Sequence, residues 1–141
     1  MKTYHINTIE LKEYIHKLAV GDKVFLSGTV YTARDAAHKR LFELIKEKKE
    51  LPIKIEGSII YYAGPTPTPS NLPIGSCGPT TSSRMDRYTP YLLDKGLLCT
   101  IGKGQRSSEV IDSIAKNKSV YLCAIGGAGA LAAKCIDSCE V

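Results

Sequence analysis

Residues 64–81 hold five prolines, at positions 65, 67, 69, 73 and 79, and three glycines. No regular element tolerates that density, because each proline removes a backbone N–H and fixes its own φ, while glycines favour turns. The chain must therefore fold around a long irregular segment, and a connection of this length inside a small domain is functional or disordered. A strand signal just before it, Ser58-Ile-Ile-Tyr-Tyr62, and a Thr-Thr-Ser-Ser run at its end favour the functional alternative.

On either side of this segment the hydrophobic period changes repeatedly. Asn7 followed by Glu10 marks a helix start, and Leu11, Tyr14, Ile15 and Leu18 recur at helical spacing up to a stop at Gly21-Asp22. Residues 24–31 read as a strand, and a second helix opens over residues 32–38 with Ala37, Leu41, Leu44 and Ile45 as its buried stripe. Pro90 begins a short helix that stops at Gly96, and residues 97–101 read as a buried strand. Ser107 or Ser108 caps a helix carrying Val110, Ile111 and Ile114, and residues 119–125 read as another strand. A Gly126-Gly127-Ala128-Gly129 turn and a small-residue helix through Cys135 follow. This alternation predicts an α/β domain, and 141 residues suit a single one spanning 1–141. Residues 139–141 read as the first of a further strand, so the chain is expected to stop in mid-element; a truncated C-terminus and a natural end both stay open.

Composition removes several function classes. With 43% hydrophobic and 23% charged residues the chain is globular. The formal charge of +5 invites a nucleic-acid reading, but the basic residues are interleaved with acids, as in Lys46-Glu47-Lys48-Lys49-Glu50, and there is no Trp. That pattern is a solvated helix face rather than a basic stripe with stacking aromatics. The residual positive charge suits a small acidic substrate. Five cysteines, an odd count, with no apolar leader predict a reducing, cytoplasmic setting, and no apolar stretch approaches the roughly 20 residues that span a bilayer.

Three cations stand where an α/β fold binds anions. Arg34 begins a helix after a strand, Arg84 follows the Gly78-Pro79-Thr80-Thr81 turn, and Lys103 lies between Gly102 and Gly104 after a strand. Each is either a ligand for a carboxylate or a solvated surface charge. Thr80 and Thr81 either donate to an oxyanion or cap the next helix. Asp35 is placed to orient Arg34 or another cation; His38, one turn on, either shuttles protons or packs. Cys135 and Cys139 are four apart, but no second pair completes a zinc site, so no metal is expected; packing explains Cys99 and Cys123 best. Residues 127–132 match the G-x-G-x-x-A dinucleotide fingerprint, yet the acid-ended second strand that motif needs does not follow, which leaves close helix-to-sheet packing as the better reading.

The strings Ser27-Gly-Thr-Val-Tyr-Thr-Ala-Arg-Asp-Ala-Ala-His38, Gly78-Pro-Thr-Thr-Ser-Ser-Arg-Met-Asp86 and Ile101-Gly-Lys-Gly104 occur in this order. Together with residues 126–130 they resemble the β subunit, or C-terminal domain, of class I fumarases and the related L-tartrate dehydratases. The resemblance implies a swivelling three-layer β/β/α domain that closes over a [4Fe-4S] cluster held by a partner, the α subunit, within a hetero-oligomer. It implies that Arg34, Thr80, Thr81, Arg84 and Lys103 contact the substrate carboxylates, with Thr80 and Thr81 the catalytic pair; Asp35 and His38, from their place in the helix, are read as supporting residues. The activity implied is reversible hydration of fumarate to (S)-malate, that of a fumarate hydratase. Dehydration of tartrate is the alternative within the family, and a non-catalytic anion-binding module is the alternative outside it. Ser83 departs from the family pattern, where glycine is more usual.

Overall fold

The computed structural model describes residues 1–64, 68, 70–75, 77–124 and 135–140. Its first element is one that the sequence reading left out. Strand β1 (Thr3–Asn7) turns Ile6 and Tyr4 inward and leaves Thr3, His5 and Asn7 exposed. The side chain of Asn7 accepts a hydrogen bond from the Ile9 amide at 3.1 Å and so starts the helical segment expected there. That segment is not one helix: a 3-10 turn (Thr8–Glu10), helix α1 (Leu11–Tyr14) and a second 3-10 turn (Ile15–Lys17) share it.

Strand β2 (Lys23–Ser27) lies parallel to β1 in a two-stranded sheet, with Thr3 opposite Lys23 and Asn7 opposite Ser27. The single strand expected over residues 24–31 is in fact two strands in two sheets. Gly28 sits at φ +130°, a conformation that side chains resist, and a Cβ there would run into the Thr8 side chain. The chain bends at this point and re-emerges as β3 (Tyr31–Thr32) at the edge of the larger sheet.

The larger sheet has four parallel strands in the order β3, β4 (Ile59–Tyr61), β5 (Cys99–Gly102) and β6 (Val120–Cys123). Parallel neighbours need crossovers. Helix α2 (Asp35–Lys46) connects β3 to β4, the proline-rich segment and α3 (Thr89–Asp94) connect β4 to β5, and α4 (Ser108–Asn117) connects β5 to β6. Pro90 lies in the first turn of α3, and the Ser107 side chain caps α4 by accepting from the Val110 amide at 3.3 Å, both as the sequence indicates. Two stripes are corrected. In α2 the buried residues are His38 and Leu41 while Ala37 is exposed, and in α4 Ile111 is exposed beside buried Val110.

Alternation along the strands feeds two cores. Ile59, Cys99 and Leu98 pack with Ile6 and Leu11, joined by Ile101, Val120 and Leu122, between the two sheets. Ile60 and Tyr62 face the other way and pack with Leu41, Met85, Leu92, Leu93 and Leu97 beneath the helices. The result is a mixed α/β fold with parallel sheets, in which the four-stranded sheet lies between a small sheet and a helical layer. Residues 125–134 and 141 lie outside the described residues, and with them the glycine-rich turn and the helix read there; Cys139 and Glu140 take part in no strand. Among the described residues no helix is long and apolar enough to cross a membrane.

Candidate functional site

The candidate side chains gather at the C-terminal end of the four-stranded sheet, where parallel α/β sheets bind ligands. The chain returns from the proline-rich segment and inserts residues 79–82 between the ends of β4 and β5. Pro79 bridges Ala63, the Thr80 amide donates to the Tyr62 carbonyl at 2.7 Å, Thr81 bridges Lys103, and the Ser82 amide donates to the Lys103 carbonyl at 2.9 Å. Gly102 makes this approach possible, since a Cβ there would run into Ser82 Oγ and lie 2.7 Å from the Tyr62 ring. Tyr121 closes the insertion from β6. Its hydroxyl donates to the Gly104 carbonyl at 2.8 Å, so Ser82 Oγ is the donor in the 2.7 Å bond between the two hydroxyls. Burial pushes the Tyr121 phenol up to about 12, with Cys123 adding to the shift, so it serves as a neutral donor.

Around this insertion stand the residues read from the sequence. Asp35 opens α2, and both its oxygens are engaged by Arg84, from Nε at 3.2 Å and from Nη2 at 2.6 Å. The cation that Asp35 orients is thus Arg84 and not its neighbour Arg34. Because a guanidinium has two bidentate edges, this contact leaves the Nη1/Nη2 edge of Arg84 open among the described residues, and such an edge can fork a second carboxylate. Arg34 is exposed just before α2, with its guanidinium laid against the backbone of Gly64. Lys103 is half-buried at the end of β5. Thr80 is half-buried and Thr81 exposed, and Thr81 makes no side-chain capping bond to the 3-10 turn Ser82–Met85 that follows it. Local sequence leaves capping open as a role for these threonines, and the Thr81 hydroxyl is not used that way.

His38 lies beneath this surface rather than on it. It is fully buried, its Nδ1 donates to the Arg34 carbonyl at 2.9 Å, and its ring packs edge-on against Tyr62 at 5.2 Å. Its Nε2 is buried and has no hydrogen-bond partner among the described residues. Burial lowers its pKa, the Arg34 carbonyl opposes that shift, and the neutral ring belongs to the core.

Sequence reasoning missed Arg106, two residues beyond the Gly102-Lys103-Gly104 string. Its side chain is 2% exposed and paired with Asp86 at 2.8 Å. It also donates to Thr100 Oγ1 at 3.2 Å, the Tyr62 hydroxyl at 3.0 Å and Thr89 Oγ1 at 2.9 Å. The rings of Tyr62 and Tyr121 lie 5.1 and 4.8 Å from its guanidinium carbon. The only local signal was a cation following two strand-end glycines.

Among the described residues no three His, Cys, Asp or Glu side chains form a group that can hold a metal ion. Cys99 is buried, as expected, and burial pushes its thiol pKa up. Cys123, expected in the core as well, is exposed at the end of β6.

Comparison with known proteins gives a consistent family. The family model described as Fumarase C-terminus matches residues 1–141. The chain is 43% identical over 128 residues to the anaerobic class I fumarate hydratase of Escherichia coli K12, covering 88% of this chain and 23% of that protein. It is 40% identical over 126 residues to fumarate hydratase 2 of Leishmania major, covering 89% of this chain and 22% of that protein. A protein of Methanocaldococcus jannaschii, whose provisional name is L(+)-tartrate dehydratase subunit beta, is 38% identical over 136 residues, covering 94% of this chain and 69% of that protein. The chain thus spans less than a quarter of these two fumarate hydratases, and about two thirds of the M. jannaschii protein.

Proposed function

The chain belongs to the Fumarase C-terminus family, and on that premise we propose that it is the dicarboxylate-binding β subunit of a class I fumarate hydratase. In this reading residues 1–141 form one domain that works in the cytoplasm with a [4Fe-4S]-bearing α subunit in the reversible hydration of fumarate to (S)-malate. The observation that carries it is the meeting of Thr80, Thr81, the Arg84–Asp35 pair and Lys103 at one end of the parallel sheet.

The chemistry follows from what each group offers. The open Nη1/Nη2 edge of Arg84 forks one substrate carboxylate, and Lys103 Nζ, a mobile point charge, holds the other together with the Arg34 guanidinium. Removing a proton next to a carboxylate loads negative charge onto that carboxylate. In this reading the hydroxyls of Thr80 and Thr81 donate to it as the charge grows, so their bonds strengthen in the transition state. The cluster, held by the partner, supplies a Lewis acid for the departing hydroxyl. Among this chain's residues neither His38, buried in the core, nor Tyr121, a donor to Gly104, fits the base that takes the proton.

Tartrate is the second reading, favoured by the 69% coverage of the M. jannaschii protein, a far larger share than for the fumarate hydratases. The test is to assay the purified chain alone and then with an anaerobically reconstituted cluster-bearing partner, on fumarate, malate and tartrate. The reading expects no turnover by the lone chain and fumarate hydration by the pair. Fumarate hydration by the lone, metal-free chain overturns the two-subunit reading, and turnover of tartrate in preference to malate transfers it to the second.

A further inference from the structure

We propose that Arg106, which reaches no part of the site surface, is the positioning residue that sets the geometry of Thr80, Thr81, Arg84 and Lys103; this rests on the reading of those four as substrate contacts. The argument lies in where its bonds end. Asp86 follows directly on the turn Ser82–Met85 that carries Arg84, and it accepts from Arg106 Nε at 2.8 Å. Thr100 lies in β5, the strand that leads directly into Lys103, and accepts from Nη1 at 3.2 Å. Tyr62, whose carbonyl fixes the Thr80 amide, accepts from Nη2 at 3.0 Å through its hydroxyl. Tyr121, which holds Ser82 and Gly104, stacks on the guanidinium at 4.8 Å. Every segment that supplies a candidate substrate contact from residues 80–103 is therefore tied to one planar group.

Packing alone does not account for this arrangement. Burying a charge pair costs desolvation that an apolar replacement avoids, so a buried pair is weak as a source of stability. What the guanidinium supplies is direction. Four of its five N–H groups meet acceptors on separate elements, and the second Asp86 oxygen accepts from the Ser107 amide at 2.9 Å, extending the frame to the start of α4. A lysine offers one mobile charge in place of this fixed fork.

The test compares Arg106→Lys, Arg84→Lys and the double variant in the assembled enzyme, with thermal melts in parallel and an amide spectrum of the full-length 15N-labelled chain. Arg106→Lys is expected to lower kcat/KM per folded molecule about 10- to 100-fold through misplacement of the loop. In the Arg84→Lys background it is expected to cost much less, since the group it positions is already impaired. The amides of Thr80, Thr81, Ser82, Arg84 and Lys103 are expected to shift while those of β1 and β2 stay. Tyr62→Phe, which keeps the ring and removes one acceptor, gives the same signs more weakly and decides the matter where Arg106→Lys does not fold. A folded variant with wild-type kcat/KM, or losses that multiply independently of Arg84→Lys, overturns the proposal. If the wild-type assembly turns over none of the three substrates, the functional reading falls and the spectrum alone decides the role of Arg106: unmoved loop amides overturn it.

Discussion

Arg84→Lys keeps the charge at the site and removes the geometry. In the wild type Asp35 occupies the Nε/Nη2 edge of Arg84, with contacts of 3.2 and 2.6 Å, and the other edge faces away from it. A lysine ammonium cannot serve two carboxylates in this way, and Asp35 is its nearest partner, so the substrate loses a bidentate contact. A hydrogen bond to a charged group is worth about 1.5 to 3 kcal/mol, and at about 1.4 kcal/mol per decade the loss of one such contact lowers kcat/KM for malate about 10- to 150-fold. Stability should hardly change. The side chains of the Arg84–Asp35 pair are 58% and 46% exposed, a range in which solvent screening leaves about 0 to 1 kcal/mol. Steady-state kinetics of the enzyme assembled with its partner, run beside thermal melts, measures both quantities. Wild-type kcat/KM in the lysine variant refutes the reasoning and makes Arg84 a surface cation; a large drop in melting temperature refutes the exposed-pair argument.

Thr80→Ala and Thr81→Ala are expected to lower kcat about 10- to 100-fold with stability within about 0.5 kcal/mol of wild type, and early melting with normal turnover would remove both from the site. Gly102→Ala places a methyl group 2.7 Å from the Tyr62 ring and 3.3 Å from the Thr80 carbonyl, so urea denaturation should show a loss of about 1 to 3 kcal/mol. His38 has a pKa lowered from its ordinary 6.5, chiefly by burial, so the unfolded chain binds its proton first on acidification. Its contribution to stability is therefore present above pH 6.5 and is lost as the pH falls below it. Melting temperature should decline from pH 7 to about pH 5, and His38→Gln should flatten that decline.

How much could be read in advance depended on the distance over which each feature is determined. The N-cap of α4 and the proline of α3 are local chemistry, and both stand where the sequence placed them. Strand β1 escaped notice because only Tyr4 and Ile6 face the core, a signal too short to stand out beside the helical pattern that follows. The split of residues 24–31 between two sheets depends on Gly28 and on the neighbouring Thr8 side chain, which no window on that stretch contains. Asp35 was recognised as an orienting acid, but its partner Arg84 is 49 positions away. Arg106 was overlooked for the same reason: three of its acceptors, Tyr62, Asp86 and Thr89, lie 17 to 44 positions from it. The exposed end of β6 accounts for Cys123, an apolar strand residue by sequence that the fold leaves outside the core.

The central claim is that a dicarboxylate sits at the C-terminal end of the four-stranded sheet. The most direct measurement is a crystal structure of the chain assembled anaerobically with its partner and soaked with malate. The account expects one carboxylate within hydrogen-bond distance of Arg84 Nη1 and Nη2, the other at Lys103 Nζ, and the Thr80 or Thr81 hydroxyl beside one of them. Malate bound elsewhere, for example in the cavity lined by Lys48, Lys49 and Lys95 beyond α2, with Arg84 and Lys103 turned to solvent, would contradict it.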